Sequence, residues 1–329
     1  MSLASLFGWG WRMFVVGGES LIDLVSAPRA ADGSIHMVAH QGGSPYNCAI
    51  ALSKLGNDTG YLCPISKDGF GSYLLEPLEE AGVKQLLGER VFAPTTLAVV
   101  TLDAAGKAQY EFYRGAERAL DTDKLVAALP QDLQLYQIGG FCPILQEDAD
   151  KWQVVVKAAI AKGATISFDP NVRPSLVDDF DAYKGRLSAF LDLAHLIKVS
   201  EEDLAALDPD KAINEHAADL LARPNCELVV VTLGENGSLA FTRDGEARAG
   251  VYSPPVFGDT VGAGDSLMAG ILTTLNEQGA LKPGKLSALG DIALAQVLRF
   301  GAVVAGLNCG QKGCNPPTRS EVDAVLARD

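Results

Sequence analysis

Residues 259–265, Asp-Thr-Val-Gly-Ala-Gly-Asp, carry the clearest chemical signal in the chain. The small residues Gly262, Ala263 and Gly264 leave their backbone N–H groups open to a ligand. The apolar residues that follow recur at three- and four-residue spacing, which predicts that a helix begins here. First-turn N–H groups have no partner inside a helix and lie at its positive end, so they form an anion site. The carboxylate of Asp265 adds a base, although it could also simply favour the helix N-terminus. Phosphoryl transfer to a hydroxyl needs an anion site and a base side by side.

Length and composition describe an ordinary globular protein. The chain has 329 residues, of which 48% are hydrophobic and 21% charged. It can therefore bury a sizeable core in one large α/β domain or two smaller ones. The net charge of −14 argues against nucleic acid or an anionic membrane as a partner, because both require a basic surface. No apolar run approaches the ~18 residues of a membrane span.

The cysteines and the N-terminal residues indicate a compartment. The six cysteines are scattered without a Cys-x-x-Cys pair, which is typical of buried thiols in a reducing environment. Residues 1–12 contain Arg12 as their one basic residue and make a poor secretory signal. We therefore expect an N-terminal extension over 1–12, a folded part that begins near Met13, and a cytoplasmic protein.

The elements that must position residues 259–265 are predicted strands and helices that alternate along the chain. Short apolar strands are predicted at 133–138, 165–168, 196–199 and 228–232, with helical stretches between them. This alternation predicts right-handed crossovers and a parallel sheet covered on both faces. Ser44 is expected to cap a helix whose first residue is Pro45.

Two motifs together resemble those of the ribokinase-like carbohydrate kinases, the family that includes the fructokinases. They are the run at 259–265 and Gly42-Gly43-x-x-x-Asn47. The resemblance implies a ribokinase-like three-layer sandwich over 13–329, with a mostly parallel central sheet. It also implies a small β-sheet lid, to which strand-like segments near 24–38 and 95–114 would belong. Homodimers through this lid are common in the family, so we expect one here.

The resemblance also implies an activity, the transfer of the γ-phosphoryl group of ATP to a primary hydroxyl of a sugar. Asp265 would be the catalytic base, of ordinary pKa about 3.9, and residues 262–264 would hold the transferred phosphoryl group. The residues implied to bind the sugar are Asp23, Gly42, Gly43, Asn47, Arg114, Asn171 and Arg173. The residues implied to bind the nucleotide are Ser200, Thr232, Gly234, Gly237 and Gly264.

Cations are implied as well. Mg²⁺ would accompany ATP near Glu202 and Asp203, where the family usually has Asn-x-x-Glu and this chain has Ser200 and Asp203. A shorter acid could still act on Mg²⁺ through water. A monovalent cation, K⁺, would lie near carbonyl groups around Asp259 and Val261.

The sequence leaves several substrates and one non-catalytic function as alternatives. The combined Gly-Gly-Ser-Pro-Tyr-Asn, Phe-Tyr-Arg and Asp-Pro-Asn-x-Arg segments are most similar to fructokinases. A 2-keto-3-deoxygluconate kinase or another sugar kinase is the near alternative, and a nucleoside kinase is a more distant one. A sugar-binding regulator on the same scaffold is an alternative of another class. The intact Asp265 and glycine-rich turn argue against a regulator, since binding alone needs no base.

Overall fold

The computed structural model describes residues 12–26, 32–102 and 108–328. The strands in this part of the chain are β1 Met13–Gly17, β2 Leu21–Ser26, β3 Met37–Gly42, β4 Thr59–Leu62, β5 Lys84–Gln85, β6 Leu97–Leu102, β7 Ala108–Tyr113, β8 Leu133–Gly139, β9 Thr165–Asp169, β10 Leu196–Ser200, β11 Leu228–Thr232, β12 Ser238–Phe241 and β13 Glu246–Ala249. Its α-helices are α1 Ser44–Lys54, α2 Gly69–Glu80, α3 Thr122–Ala127, α4 Gln146–Ala161, α5 Phe180–Leu193, α6 Glu201–Leu207, α7 Ile213–Leu221, α8 Ala263–Glu277, α9 Asp291–Asn308 and α10 Arg319–Leu326.

A nine-stranded sheet forms the centre of the molecule, in the order β13-β12-β11-β10-β9-β8-β1-β4-β5. The seven strands from β11 to β5 are parallel, and β12 and β13 continue the sheet antiparallel. The predicted, mostly parallel α/β sheet is therefore confirmed. Because parallel strands end at a common edge, the loops after β9, β10 and β11 lie side by side, where open parallel sheets build their sites.

Both faces of the central sheet are covered by helices. Successive side chains of a strand point to opposite faces: in β1, Phe14 and Val16 enter the core shared with α1, α8 and α9, whereas Met13 and Val15 enter the core shared with α4 and α5. This burial on both faces explains why the strands are continuous apolar runs. The architecture is the expected three-layer sandwich.

A second sheet of four strands, in the order β3-β2-β6-β7, is separate from the central one. We call it the small sheet. Strands β2 and β6 are parallel, and the other two pairs are antiparallel. This confirms the small β-sheet, with strands at 21–26, 37–42, 97–102 and 108–113. Residues 1–11, which are most of the expected N-terminal extension, lie outside the described residues, as do residues 27–31 and 103–107 within the segments expected near 24–38 and 95–114.

Helix α8, which carries Asp265, packs on α9 through two glycines. A Cβ atom on Gly270 would lie 2.8 Å from the Cα atom of Gly301, so the helices approach too closely for a larger residue at 270. Helix α9 is long and apolar enough to cross a membrane by length and average composition alone, although Asp291, Gln296 and Arg299 interrupt its apolar residues. However, 56% of it is buried inside the protein, as in a core helix, and its apolar length is explained by this packing.

Candidate active site

The start of α8 forms a tight turn at residues 262–264, which we call the anion turn. Gly262 is the N-cap and has a left-handed backbone with φ 72°, a conformation that favours glycine. A Cβ atom there would also collide with the side chain of Cys314. The N–H group of Ala263 donates to the carbonyl oxygen of Thr260 at 3.1 Å. Of the three N–H groups expected to bind an anion, that of Ala263 therefore already has a partner.

Asp265 lies in the first turn of α8, and 9% of its surface is exposed. Each carboxylate oxygen accepts a hydrogen bond from α1. The hydroxyl of Ser44 donates to Oδ1 at 2.6 Å, and the amide of Asn47 donates to Oδ2 at 2.9 Å. Asn47, which was expected at the sugar, therefore contacts the candidate base directly. Two donors on one helix face orient the carboxylate before any substrate arrives.

Burial changes the acidity of this carboxyl group. Desolvation raises the pKa of Asp265 to about 6, and the hydrogen bonds from Ser44 and Asn47 oppose that rise. The ordinary pKa expected from the sequence is therefore too low, because a buried carboxylate loses its hydration. At pH 7, roughly ten carboxyl groups are ionised for each one that is protonated, so Asp265 remains a base.

Ser44 is a site residue that the sequence reasoning missed. Gly43 is the N-cap of α1 and Ser44 is its first helical residue, so the expected capping role of Ser44 is wrong. The hydroxyl instead donates to Asp265 and accepts from the amide of Asn171 at 3.0 Å. The signal was its three-residue spacing from Asn47, which places both side chains on one helix face.

Asn171, in the loop after β9, is held in an unusual backbone conformation. Its φ of 46° is the only positive φ of a non-glycine residue within the described residues. Such strain persists where the surrounding structure fixes it, often at functional sites. Here it accompanies the hydrogen bond from the Asn171 amide to Ser44.

A buried ion pair lies beside the anion turn. The ammonium group of Lys198, in β10, is 2.7 Å from Oδ2 of Asp169, the last residue of β9. Both side chains are almost fully buried. Neither residue was selected from the sequence, although a lysine within an otherwise apolar strand could have drawn attention.

A cavity of about 530 Å³ is lined in part by the anion turn. It brings Thr232, Gly234 and Gly237, all expected at the nucleotide, together with Gly264. Ser200 is not part of its lining. The lining also includes apolar residues that the sequence reasoning did not select, namely Val251, Tyr252, Pro254, Phe257, Leu267, Ala302 and Ala305. Such a mostly apolar wall with a few polar groups suits a planar base.

The small sheet contributes Asp23 from β2 and Gly42 from β3. Leu21 and Gly42 are paired across the two strands, and Asp23 is paired with His40. A Cβ atom on Gly42 would collide with the Asp23 carboxylate, so this glycine leaves room for the side chain. Burial raises the pKa of Asp23 to about 6, and His40 opposes the rise. Gly43 follows directly and is the N-cap of α1, which links the small sheet to the residues that hold Asp265.

Comparison with known proteins identifies the family. Residues 12–321 match the model of the pfkB family carbohydrate kinases. The chain belongs to this family. Fructokinase-2 of Solanum lycopersicum is 31% identical over 323 residues, covering 95% of this chain and 96% of that protein.

Solved structures of two fructokinases share the fold. The fructokinase of Xylella fastidiosa with bound ATP superposes with a TM-score of 0.86 at 26% identity, and the match covers 97% of this chain and 99% of that one. A Vibrio cholerae O395 fructokinase double mutant with fructose, ADP and potassium ion superposes with a TM-score of 0.78. Its 22% identity, over 96% of this chain and 98% of that one, supports the fold alone. The ribokinase-like fold and a sugar phosphotransferase activity follow from the family.

In this carbohydrate kinase, Arg114 is enclosed by acidic partners. Its guanidinium is 2.8 Å from Glu117 and 3.0 Å from Asp148, and it lies over the ring of Phe141. Within the described residues, Nη1 is buried and has no hydrogen-bond partner. Arg114 lines a cavity of about 260 Å³ with Phe112 and Phe141, and Asp265 is not part of that lining.

Among the acidic residues after β10, Asp203 has structural partners. Ser200 is the N-cap of α6 and forms a capping box with Asp203. The Asp203 carboxylate accepts the N–H groups of Val172 and Ser200, each at 2.8 Å. Arg173 is half-exposed and lies 3.5 Å from Asp203. Glu202 is exposed. These contacts account for Asp203 without a metal ion.

The loop after residue 258 is tied to the C-terminal loop. The carboxylate of Asp259 accepts the N–H groups of Val261 at 2.9 Å and Gly313 at 2.8 Å. The carbonyl oxygen of Val261 accepts the amide of Asn308 at 2.7 Å. These bonds fix oxygen atoms next to the anion turn. Each of these oxygens has a second lone pair, so the set remains compatible with a monovalent cation.

Proposed function

We propose that this carbohydrate kinase transfers the γ-phosphoryl group of ATP to a primary hydroxyl of fructose. The observation that carries the proposal is the position of Asp265. It is a base mostly ionised at pH 7, and it lies at an anion turn that also lines the large apolar cavity. That cavity would hold the nucleotide base, and the region between Asp265 and the small sheet would hold the sugar. The names of the similar proteins, fructokinases from Solanum lycopersicum and Xylella fastidiosa, favour fructose.

In the proposed reaction, the sugar hydroxyl attacks phosphorus and gives its proton to Asp265. Ser44 and Asn47 hold the carboxylate so that a lone pair faces the hydroxyl. The N–H groups of Gly262 and Gly264 bind the oxygens of the transferred group, while that of Ala263 is shared with Thr260. Because the transition state of phosphoryl transfer is loose in most analyses, positioning and charge stabilisation contribute most. Arg173, half-exposed beside this loop edge, would add positive charge.

The electrostatics at Arg114 favour a neutral sugar. A sugar acid such as 2-keto-3-deoxygluconate needs a free cation for its carboxylate. The guanidinium of Arg114 already faces Glu117 and Asp148. Its charge is therefore compensated inside the protein, and a further carboxylate would meet two like charges.

Two cations complete the proposal. The described residues contain no group of three or more His, Cys, Asp or Glu side chains placed to hold a metal ion. We infer that Mg²⁺ would be held mainly by ATP phosphates and water, as is common for this ion. Glu202 and Asp203 would act at most through water. K⁺ would lie near the oxygen atoms of Asp259 and Val261, which supply the hard ligands it prefers.

The assembly and the compartment are also part of the proposal. Val25 and Val38 are paired across β2 and β3, so they lie on one face of the small sheet, and both are exposed. A second copy of this sheet would cover them, which favours a homodimer. The six cysteines are free, as expected for a cytoplasmic protein.

A panel of sugars tests the activity. ADP release is measured with ATP, Mg²⁺ and either fructose, glucose, ribose, adenosine or 2-keto-3-deoxygluconate, and ³¹P NMR identifies the phosphorylated hydroxyl. The expected result is the highest kcat/KM with fructose and a product phosphorylated at a primary hydroxyl. Preference for the sugar acid would overturn the inference from Arg114. Tight binding of fructose without any phosphosugar would favour the regulator.

A further inference from the structure

The ion pair of Lys198 and Asp169 is the most unusual charged feature of the described residues outside the proposed chemistry. Lys198 is 4% exposed and Asp169 is 2% exposed. They lie on the neighbouring parallel strands β10 and β9. Oδ2 of Asp169 receives the ammonium at 2.7 Å, and Oδ1 is buried without a hydrogen-bond partner in the described part of the chain. A buried pair with an unsatisfied oxygen is a costly way to stabilise a fold, so a functional reason is worth seeking.

The pair is directed at the anion turn. A Cβ atom on Gly264 would lie 3.1 Å from Nζ of Lys198. The ammonium group is therefore against the first turn of α8, one residue before Asp265. A larger residue at 264 would push the ammonium away, so the glycine also lets this cation approach the turn.

We propose that Lys198 is a positioning residue for the base: its buried positive charge holds Asp265 in the ionised form, and Asp169 holds the ammonium in place. This inference rests on the proposed function of Asp265 as the base. Lys198 touches neither reactant in this scheme and acts only through Asp265.

The other groups that face Asp265 do not supply this charge. From α1 it meets Ser44, Asn47 and the thiol of Cys48, and from the C-terminal loop it meets the thiol of Cys314. Burial raises the pKa of both thiols, so they stay neutral near pH 7.

The two charged neighbours of Asp265 act in opposite directions. Burial is the main cause of the raised pKa of Asp265. The negative charge of Asp169 raises this pKa further, whereas the positive charge of Lys198 lowers it. Asp203 is a further acidic neighbour of Lys198. Loss of Lys198 alone would therefore leave Asp265 facing an uncompensated carboxylate.

Three variants separate charge from packing. Lys198→Met removes the charge and keeps most of the side-chain volume, whereas Lys198→Arg keeps the charge. The double variant, Lys198→Met with Asp169→Asn, removes the whole ion pair and leaves no unpaired ion. Lys84→Met, which breaks the surface pair with Asp58, is the matched control. Two readouts are used. One is the acid limb of the kcat/KM–pH profile for fructose, and the other is the ¹³C-carboxyl NMR titration of Asp265, assigned by its absence in Asp265→Asn.

We expect Lys198→Met to raise the pKa of Asp265 by about one unit, since the loss of a neighbouring positive charge disfavours the ionised carboxylate by an amount of this order. Lys198→Arg and Lys84→Met should leave the pKa unchanged, and the double variant should return it to the wild-type value or below. The proposal is overturned if Lys198→Met leaves the NMR pKa unchanged. The proposal is also overturned if the single and double variants shift the pKa of Asp265 equally. If Lys198→Met does not fold, an upward shift of this pKa in the double variant overturns the proposal.

The NMR titration needs no turnover, so it separates this inference from the proposed function. A wild-type protein that phosphorylates none of the sugars would contradict the proposed function. The expected pKa shifts in that same protein would still support the electrostatic role of Lys198.

Discussion

At the scale of single residues, Asp265 is the proposed catalytic base. Asp265→Asn keeps the shape of the side chain and removes its ability to accept a proton. We expect kcat to fall by roughly 10²–10⁴, the usual contribution of a general base, with little change in the Kd of ATP or fructose. Turnover is measured by ADP release and binding by calorimetry. Wild-type turnover in a variant that binds both ligands normally would exclude Asp265 as the base.

The pH dependence of turnover should report the same carboxyl group. The pKa of Asp265 is raised to about 6, so the base is protonated and inactive below pH 6 and is restored as the pH rises through that value. Ser44→Ala removes a hydrogen bond that favours the charged form, which should move the acid limb of kcat upward by about one unit. Activity at pH 6 should then fall more than activity at pH 8.

The control for Ser44→Ala lies in the same helix. The hydroxyl of Ser53 donates to the carbonyl oxygen of Ala81, away from the site, so Ser53→Ala should leave the limb unchanged. Asp23 titrates in the same range, and Asp23→Asn is measured alongside to separate the two groups. If Ser44→Ala lowers kcat equally at every pH, the hydroxyl of Ser44 does not change the pKa of Asp265.

At the scale of elements, the contact between α8 and α9 places the base. Gly270→Ala would put a methyl group 2.8 Å from the backbone of Gly301, so the helices must separate. Overpacking of this kind costs typically 1–3 kcal/mol, and the displaced α8 should also lower kcat. Thermal unfolding and turnover measure the two effects.

A glycine in another helix provides the matched control for this substitution. Gly185 lies within α5, and a Cβ atom there would meet nothing within 4 Å. Gly185→Ala should therefore stabilise the protein by about 0.5–1 kcal/mol, since alanine favours the helix, without changing kcat. If both variants behave alike, close packing of α8 on α9 is not what requires the glycine.

At the scale of the whole molecule, the small sheet is the proposed dimer contact. Val38 is 52% exposed on β3, and Val38→Glu would bury a charge in that contact, which is costly without a partner. We expect light scattering after gel filtration to show a dimer for the wild type and a monomer for the variant. Val154→Glu, at a similarly exposed valine of α4, should remain a dimer. A monomeric wild type would remove this part of the proposal.

The sequence by itself determined the layers of the fold and pointed to residues 259–265 as the candidate site. Strand–helix alternation requires a parallel sheet with covered faces, because each apolar face must be buried, and the short strands of β8 to β11 were predicted to within one residue. The anion turn was recognisable because only small residues permit a ligand to approach the backbone at the start of a helix. These are local properties, which the spacing of neighbouring residues predicts.

The tertiary structure alone decided which side chains meet. Ser44 and Asp265 are 221 positions apart, and Lys198 meets Asp169 because β10 pairs with β9; no local pattern encodes such distances. The raised pKa of Asp265 depends on burial by elements from every part of the chain, and the enclosure of Arg114 depends on a carboxylate from α4. Contact, solvent exclusion and electrostatic environment are properties of the packed molecule, so they follow from the fold and cannot be read from spacing.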